Sequence, residues 1–196
     1  MAAGGNTLWA RFNIVCGTNG TGKSTFVGEV IKKTHFKNTL VYLESIDLGG
    51  TQFKGLPVVD LADYAGGKAC IDSDSIGFTD FLIQVTKYYR NGMVVIDEAG
   101  LYNVMEKNDV IEPLKNLLKQ RRKYNIEVYL IYHSVSEIPV RLLKWCNNII
   151  LFHQTDKFNH KGAVIPRIDE LNAAKLRIEQ KYFAGNHYYC ERIQLS

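Results

Sequence analysis

Long apolar runs are missing from this sequence. No stretch approaches the roughly 18 consecutive apolar residues that a membrane-crossing helix needs, so no such helix is expected. The chain opens Met-Ala-Ala-Gly-Gly-Asn-Thr-Leu-Trp-Ala-Arg, without a basic segment leading into an apolar core. No signal peptide is expected, and the expected site of action is the cytoplasm. Cysteine is sparse: Cys16, Cys70, Cys146 and Cys190 are widely separated, and no CxxC pair exists to build a structural zinc site. Cys16 and Cys146 lie in or beside apolar runs and read as buried free thiols. There are only four prolines, and no repeat, low-complexity tract or linker is visible. With 46% hydrophobic and 22% charged residues, the composition excludes a disordered or fibrous chain. The net charge of +4 is mildly basic, compatible with a polyanionic partner without specifying one.

What is present is an alternation of short apolar runs with helical patterns. The 196 residues suffice for one well-buried domain. The expected organisation is a single domain over 1–196, with a core at about 8–153 and a C-terminal helix and hairpin over 154–196. Strands are predicted at Ala10–Cys16, Leu40–Leu43, Met93–Ile96, Glu127–Tyr132 and Asn148–Phe152. Helical faces are predicted from Phe26, Val27, Val30 and Ile31, from Phe81, Leu82, Val85, Tyr88 and Tyr89, and from Val110, Ile111, Leu114, Leu117 and Leu118. Asn108 and Asp109 read as caps of the last of these, with Pro113 in its first turn. Strands alternating with helices imply a parallel α/β sheet. The Gly- and Asp-rich stretch Ser45 to Gly77 reads as loops around a minor strand at Pro57-Val58-Val59. A helix is expected near Arg167–Gln180, and Gly185-Asn186 between aromatic runs reads as a hairpin turn.

The first strand runs directly into Gly17-Thr18-Asn19-Gly20-Thr21-Gly22-Lys23-Ser24-Thr25, which fits the phosphate-loop pattern GxxxxGK[ST] without a gap. Glycines let the backbone curl so that successive N–H groups converge on phosphate oxygens. The helix that follows aims its positive end at the same place. In this motif Lys23 reaches the β- and γ-phosphates and Ser24 supplies a hydroxyl to Mg²⁺. The apolar run Met93-Val94-Val95-Ile96 ends in Asp97-Glu98. A carboxylate at the carboxyl end of a central strand suits the Mg²⁺ shell, the role expected of Asp97. Glu98 is then the candidate to orient or deprotonate an attacking water.

The order of these features resembles the FtsK–HerA family of DNA-pumping ATPases. It comprises the phosphate loop, the Asp-Glu strand, a helix ending in Lys119-Gln120-Arg121-Arg122-Lys123, a strand ending in His133-Ser134, then Ser136-Glu137-Ile138-Pro139 and a helix leading to Asn147-Asn148-Ile149-Ile150. In length the chain is most similar to the small viral genome-packaging ATPases. It also resembles the nucleotide-binding part of zonula occludens toxin-like phage assembly proteins. The resemblance spans about Phe12 to Phe152. It implies a three-layer P-loop NTPase fold of the RecA/ASCE type, with sheet order 5-1-4-3-2. It also implies ATP hydrolysis with Mg²⁺ between the subunits of a hexameric ring, action on double-stranded DNA, and contact with a capsid vertex or portal protein, possible association with a virion or procapsid included. A polar residue ending the fourth strand, His133 or Ser134, is implied to contact the γ-phosphate; many members have Gln there. An arginine reaching into the neighbouring subunit's site is implied as well, with Arg121 or Arg122 as first candidates and Arg141 as second. Lys54, Lys68, Lys157 and Lys161 are equally eligible to meet a DNA backbone.

Three other readings compete. A phage assembly or secretion motor shares the ATPase chemistry and differs in partner. A thymidine kinase-type nucleoside kinase shares a GKST loop and Asp97-Glu98-Ala99, but uses paired cysteines that this chain lacks. A module that binds ATP without turning it over has no need of Glu98.

Overall fold

The computed structural model describes residues 10–44, 53, 55–158 and 164–195. Strand β1 (Phe12–Cys16) leads into helix α1 (Lys23–Lys33), followed by β2 (Asn38–Leu43), β3 (Lys68–Asp72), α2 (Phe78–Tyr88) and β4 (Gly92–Ile96). A two-stranded ribbon of β5 (Met105–Glu106) and β6 (Asp109–Val110) precedes α3 (Glu112–Tyr124) and β7 (Ile126–Tyr132). The short α4 (Val140–Leu143), β8 (Asn148–Leu151), α5 (Ile168–Phe183) and β9 (Glu191–Gln194) complete the chain.

The main sheet has the order β3-β2-β4-β7-β1-β8-β9, parallel throughout except for β9, which pairs antiparallel with β8. Its five inner strands, β8-β1-β7-β4-β2, are those expected from the sequence, in the expected order 5-1-4-3-2. β1, β4, β7 and β8 are buried along their whole lengths, as strands covered on both faces must be. On one face Leu82 and Val85 of α2, Leu114, Leu117 and Leu118 of α3, and Leu171, Ala174 and Ile178 of α5 join a core with Ile14, Ile96 and Leu130. On the other, Val27 and Ile31 of α1 pack with Val15, Val95 and Ile131. The result is three layers with every parallel strand ending at one edge.

Three local expectations are corrected. The minor strand is Lys68–Asp72, an edge partner of β2; Val58 forms only an isolated bridge to Cys70. Pro57 has no N–H to give a ladder, and Val58 is half exposed. Asn108 and Asp109 do not cap α3. Lys107 and Asn108 both adopt positive φ, the backbone of a tight two-residue hairpin turn between β5 and β6, and Ile111 occupies the cap position. Pro113 does fall in the first turn of α3.

The C-terminal hairpin is replaced by a longer helix and a single strand. α5 runs on to Phe183, and Gly185 at φ 91° ends it: its N–H donates to Tyr182 O while Asn186 N–H donates to Lys181 O. That pair of bonds is the Schellman helix ending, so the glycine terminates a helix instead of reversing a strand. Cys16, Cys70 and Cys146 are buried free thiols, and Cys190 is partly buried.

Candidate active site

Strand order decides what meets at the carboxyl edge of the sheet. β7 lies between β1, which carries the phosphate loop, and β4, which carries Asp97 and Glu98. The residue after β7 is therefore interposed between them, and that residue is His133. Its Nδ1 lies 3.3 Å from Lys23 Nζ, and its Nε2 lies 3.1 Å from Glu98 Oε1. With Lys23 donating to Nδ1, Nε2 bears the hydrogen and donates to Glu98. Three residues from three separate segments thus form one polar chain.

The loop itself is tightly held. Gly17 N–H donates to Tyr132 O at 3.3 Å, and Thr18 N–H donates to His153 O at 2.9 Å. Thr21 Oγ1 donates to Thr18 O at 2.7 Å, and Lys23 Nζ donates to the same carbonyl at 2.9 Å. A Cβ at Gly17 would stand 2.5 Å from Phe152 Cβ, which leaves no space for a side chain there. Gly20 and Gly22 have φ of 77° and 94°, in the left-handed region that glycine enters without strain. Gly22 is the N-cap of α1, so the loop turns directly into a helix N-terminus. Asn19, Gly20 and Thr25 are exposed, and Ser24 is partly exposed in the first turn of α1.

Lys23 is only 5% exposed, and burial pulls its ammonium pKa down from the usual range, opposed by Cys16 and by Asp97 and Glu98. Asp97 is buried and its pKa is pushed up from 3.8 to about 6, first by loss of hydration and then by Glu98. It receives one backbone hydrogen bond, from Glu98 N–H at 3.1 Å. A buried carboxylate at the end of β4 and a hydroxyl in the first turn of α1 are oxygen donors of the kind that Mg²⁺ takes. Glu98 itself adopts φ 50°, a left-handed conformation that a glutamate rarely adopts. The turn lets the chain leave β4 with the Glu98 carboxylate directed at His133. Glu44, after β2, has its carboxyl pKa raised by lost hydration and then by a hydrogen bond to Glu98.

The titration of Asp97 has a consequence for stability. Its folded pKa exceeds its unfolded value, so the folded protein binds the proton more tightly and the ionised carboxylate opposes folding at neutral pH. Stability contributed by this group rises as pH falls from about 6 toward 4, opposite to an ion-paired carboxylate. Asp97→Asn is expected to raise stability at pH 7 by about 1–3 kcal/mol, read as a higher Tm.

The other sequence candidates fall elsewhere. Ser134 Oγ donates to Asp156, which also accepts from Ser136 Oγ at 2.9 Å, so the residue next to Lys23 is His133. Arg121 is corrected: it is 7% exposed, and its guanidinium donates to Leu118 O and, at 3.2 Å, to Asn147 Oδ1. Arg122 is exposed, but α3 runs away from the site, so Arg122 lies at the opposite edge of the sheet. Arg141, in α4, is 59% exposed at its side chain and lies 4.0 Å from Asp109 near the start of α3, closer to the carboxyl edge. Lys68 donates to Ile31 O, Lys157 is exposed, and Lys54 and Lys161 lie outside the described residues.

Two groups at the site escaped the sequence. Glu137 accepts a hydrogen bond from His133 N–H at 3.3 Å, and its Oε2 lies 2.7 Å from where a Cβ on Gly100 would be. His153 holds Thr18 through its carbonyl. Neither residue belongs to a spacing pattern; both act through the main chain or through contacts between distant segments.

No protein-family model matches the chain, and no curated protein matches it. Solved structures do. The genome packaging NTPase B204 from Sulfolobus turreted icosahedral virus 2, in complex with sulfate, superposes with a TM-score of 0.66 at 18% identity, covering 95% of this chain and 92% of that one. The same protein with ATP-gammaS gives 0.63 at 16% identity, covering 95% and 93%. The N-terminal domain of zonular occludens toxin from Neisseria meningitidis gives 0.52 at 15% identity, covering 72% and 76%. At these identities the likeness is one of fold: the chain has the α/β P-loop NTPase fold, and both kinds of protein that the sequence resembles are among its structural neighbours.

Proposed function

We propose that this protein is an ATP-hydrolysing motor that moves double-stranded DNA, acting in genome packaging into a viral capsid from the host cytoplasm. The observation that carries the proposal is the Lys23–His133–Glu98 chain beside buried Asp97. Binding alone needs the loop and a metal ligand; it does not need a carboxylate held in a left-handed turn against a polar residue of the intervening strand. The likeness of the whole chain to a packaging NTPase supports the substrate side of the reading.

In this reading the N–H groups of residues 19–25, which include the start of α1, bind the phosphates of ATP, and Lys23 leaves Thr18 O for the terminal phosphates. Ser24 and Asp97 would hold Mg²⁺, which would supply positive charge to offset that of the phosphates. Glu98 orients water for attack and takes its proton. His133 links Glu98 to the lysine that senses the phosphate. An arginine from the adjoining subunit of a hexameric ring completes the site, a contribution worth about 10³–10⁵ in rate. Arg141 replaces Arg121 as the favoured residue, ahead of the more distant Arg122. Arg141→Ala is expected to abolish turnover alone and to be rescued in rings mixed with Lys23→Ala subunits. A defect without rescue, checked by ATPase assay of the mixtures, would point to a role within one subunit.

ATP-driven displacement of a third strand from duplex DNA tests movement directly. Displacement that requires ATP supports a translocase; tight DNA-independent turnover without displacement favours the second reading. That reading is an assembly or secretion motor, favoured by the likeness to the zonular occludens toxin domain. Among the described residues no helix is long and apolar enough to cross a membrane.

A further inference from the structure

The segment joining α5 to β9 comes back to the phosphate loop. A Cβ placed on Gly22 would lie 2.8 Å from Tyr188 Cδ1, so the tyrosine ring occupies the space beside the N-cap of α1. Tyr188 is nonetheless 71% exposed, and Phe183, the last residue of α5, is 75% exposed. Behind them Tyr182 stacks on His153, ring centroids 3.7 Å apart and planes 9° apart, and His187 meets Tyr182 edge-on at 4.6 Å. His153 is the residue whose carbonyl accepts from Thr18 N–H. One residue therefore anchors the loop through its main chain and the aromatic segment through its ring.

The Schellman ending at Gly185 fixes the exit of this segment from α5, and the antiparallel pairing of β9 with β8 fixes its other end. The ring of Tyr188 is thus set against the loop with most of its surface left to water. Solvated aromatic surface held in place next to a phosphate site matches a flat apolar group joined to the phosphates.

We infer that Tyr188 is the stacking platform for the base of a purine nucleoside triphosphate bound in the phosphate loop. The inference rests on the nucleotide reading of that loop and extends it to the base, for which the sequence offers no recognisable contact. Stacking requires the ring and not its hydroxyl. Loss of an aromatic platform weakens base binding by roughly 5- to 100-fold. Inorganic tripolyphosphate has no base and is indifferent to it.

Calorimetric titration of the full chain with ATP and with tripolyphosphate, both with Mg²⁺, separates the cases. Tyr188→Ala is expected to weaken ATP about tenfold or more and leave tripolyphosphate unchanged, while Tyr188→Phe keeps wild-type affinity for both. Unchanged ATP affinity in Tyr188→Ala would overturn the inference. So would equal losses of ATP and tripolyphosphate, which would make the ring a prop for the loop, or a loss in Tyr188→Phe as large as in Tyr188→Ala. Wild-type protein that binds neither ligand would reject the nucleotide reading itself.

Discussion

Lys23→Ala is expected to abolish ATP turnover, by about 10²–10³-fold or more, with nucleotide affinity lost as well. The ammonium is buried to 5% exposure and donates to Thr18 O and toward His133 Nδ1. The partly dehydrated charge is strongly available to a phosphate, because water screens it little. Alanine removes the cation and leaves a cavity at the first turn of α1. Lys23→Met keeps most of the volume and separates the two effects. Both variants should lack turnover in a phosphate-release assay, and Lys23→Met should melt closer to the wild type. Turnover retained in either would remove Lys23 from the chemistry.

Glu98→Gln is expected to keep ATP binding and lose hydrolysis by about 10²–10⁴-fold, the range for a lost general base. Gln preserves the length and the hydrogen bond to His133 Nε2 but does not accept a proton at neutral pH. The left-handed turn at residue 98 is unaffected by this exchange, so the site geometry survives. Equilibrium binding of ATP and single-turnover hydrolysis give the two readouts. If hydrolysis continues at the wild-type rate, Glu98 is a structural acid at a strand end. A matching His133→Ala variant would break the link to Lys23 and should lower turnover with a smaller loss of binding.

Local signals made the phosphate loop legible. β1, the glycines and α1 are contiguous, and each residue type answers a backbone requirement that neighbours impose. The five inner strands were legible for a similar reason, since a strand buried on both faces is almost wholly apolar. The edges were not. Lys68–Asp72 offers only Ala69, Cys70 and Ile71 between charged ends, too short a run to stand out from a loop. Lys107-Asn108 turns β5 into β6 with no glycine, although both residues adopt positive φ. Gly185-Asn186 carried a hairpin signal, but the same glycine conformation closes a helix, and only the burial of Leu171, Ala174 and Ile178 decides between them.

The site was legible as separate residues and not as a constellation. Asp97, Glu98 and His133 each end an apolar strand, which marks them without saying which face which. Their meeting depends on β7 entering between β1 and β4, a property of the sheet as a whole. Arg121 shows the opposite failure. A basic helix end looks solvated in sequence, yet α3 turns this one arginine inward to Asn147 and leaves Arg122 and Lys123 outside. Glu137 accepts from the His133 main chain with its carboxylate, a contact that no local spacing marks, and His153 holds the loop with its own carbonyl, which carries no side-chain pattern at all.

The most direct test of the central claim is the rate of Mg²⁺-dependent ATP hydrolysis by the purified protein, with and without long duplex DNA. Hydrolysis is expected that DNA stimulates and that Glu98→Gln eliminates. Hydrolysis that ignores DNA, even with the ring assembled, would contradict the translocase. No hydrolysis under either condition would contradict the account from the Lys23–His133–Glu98 chain upward.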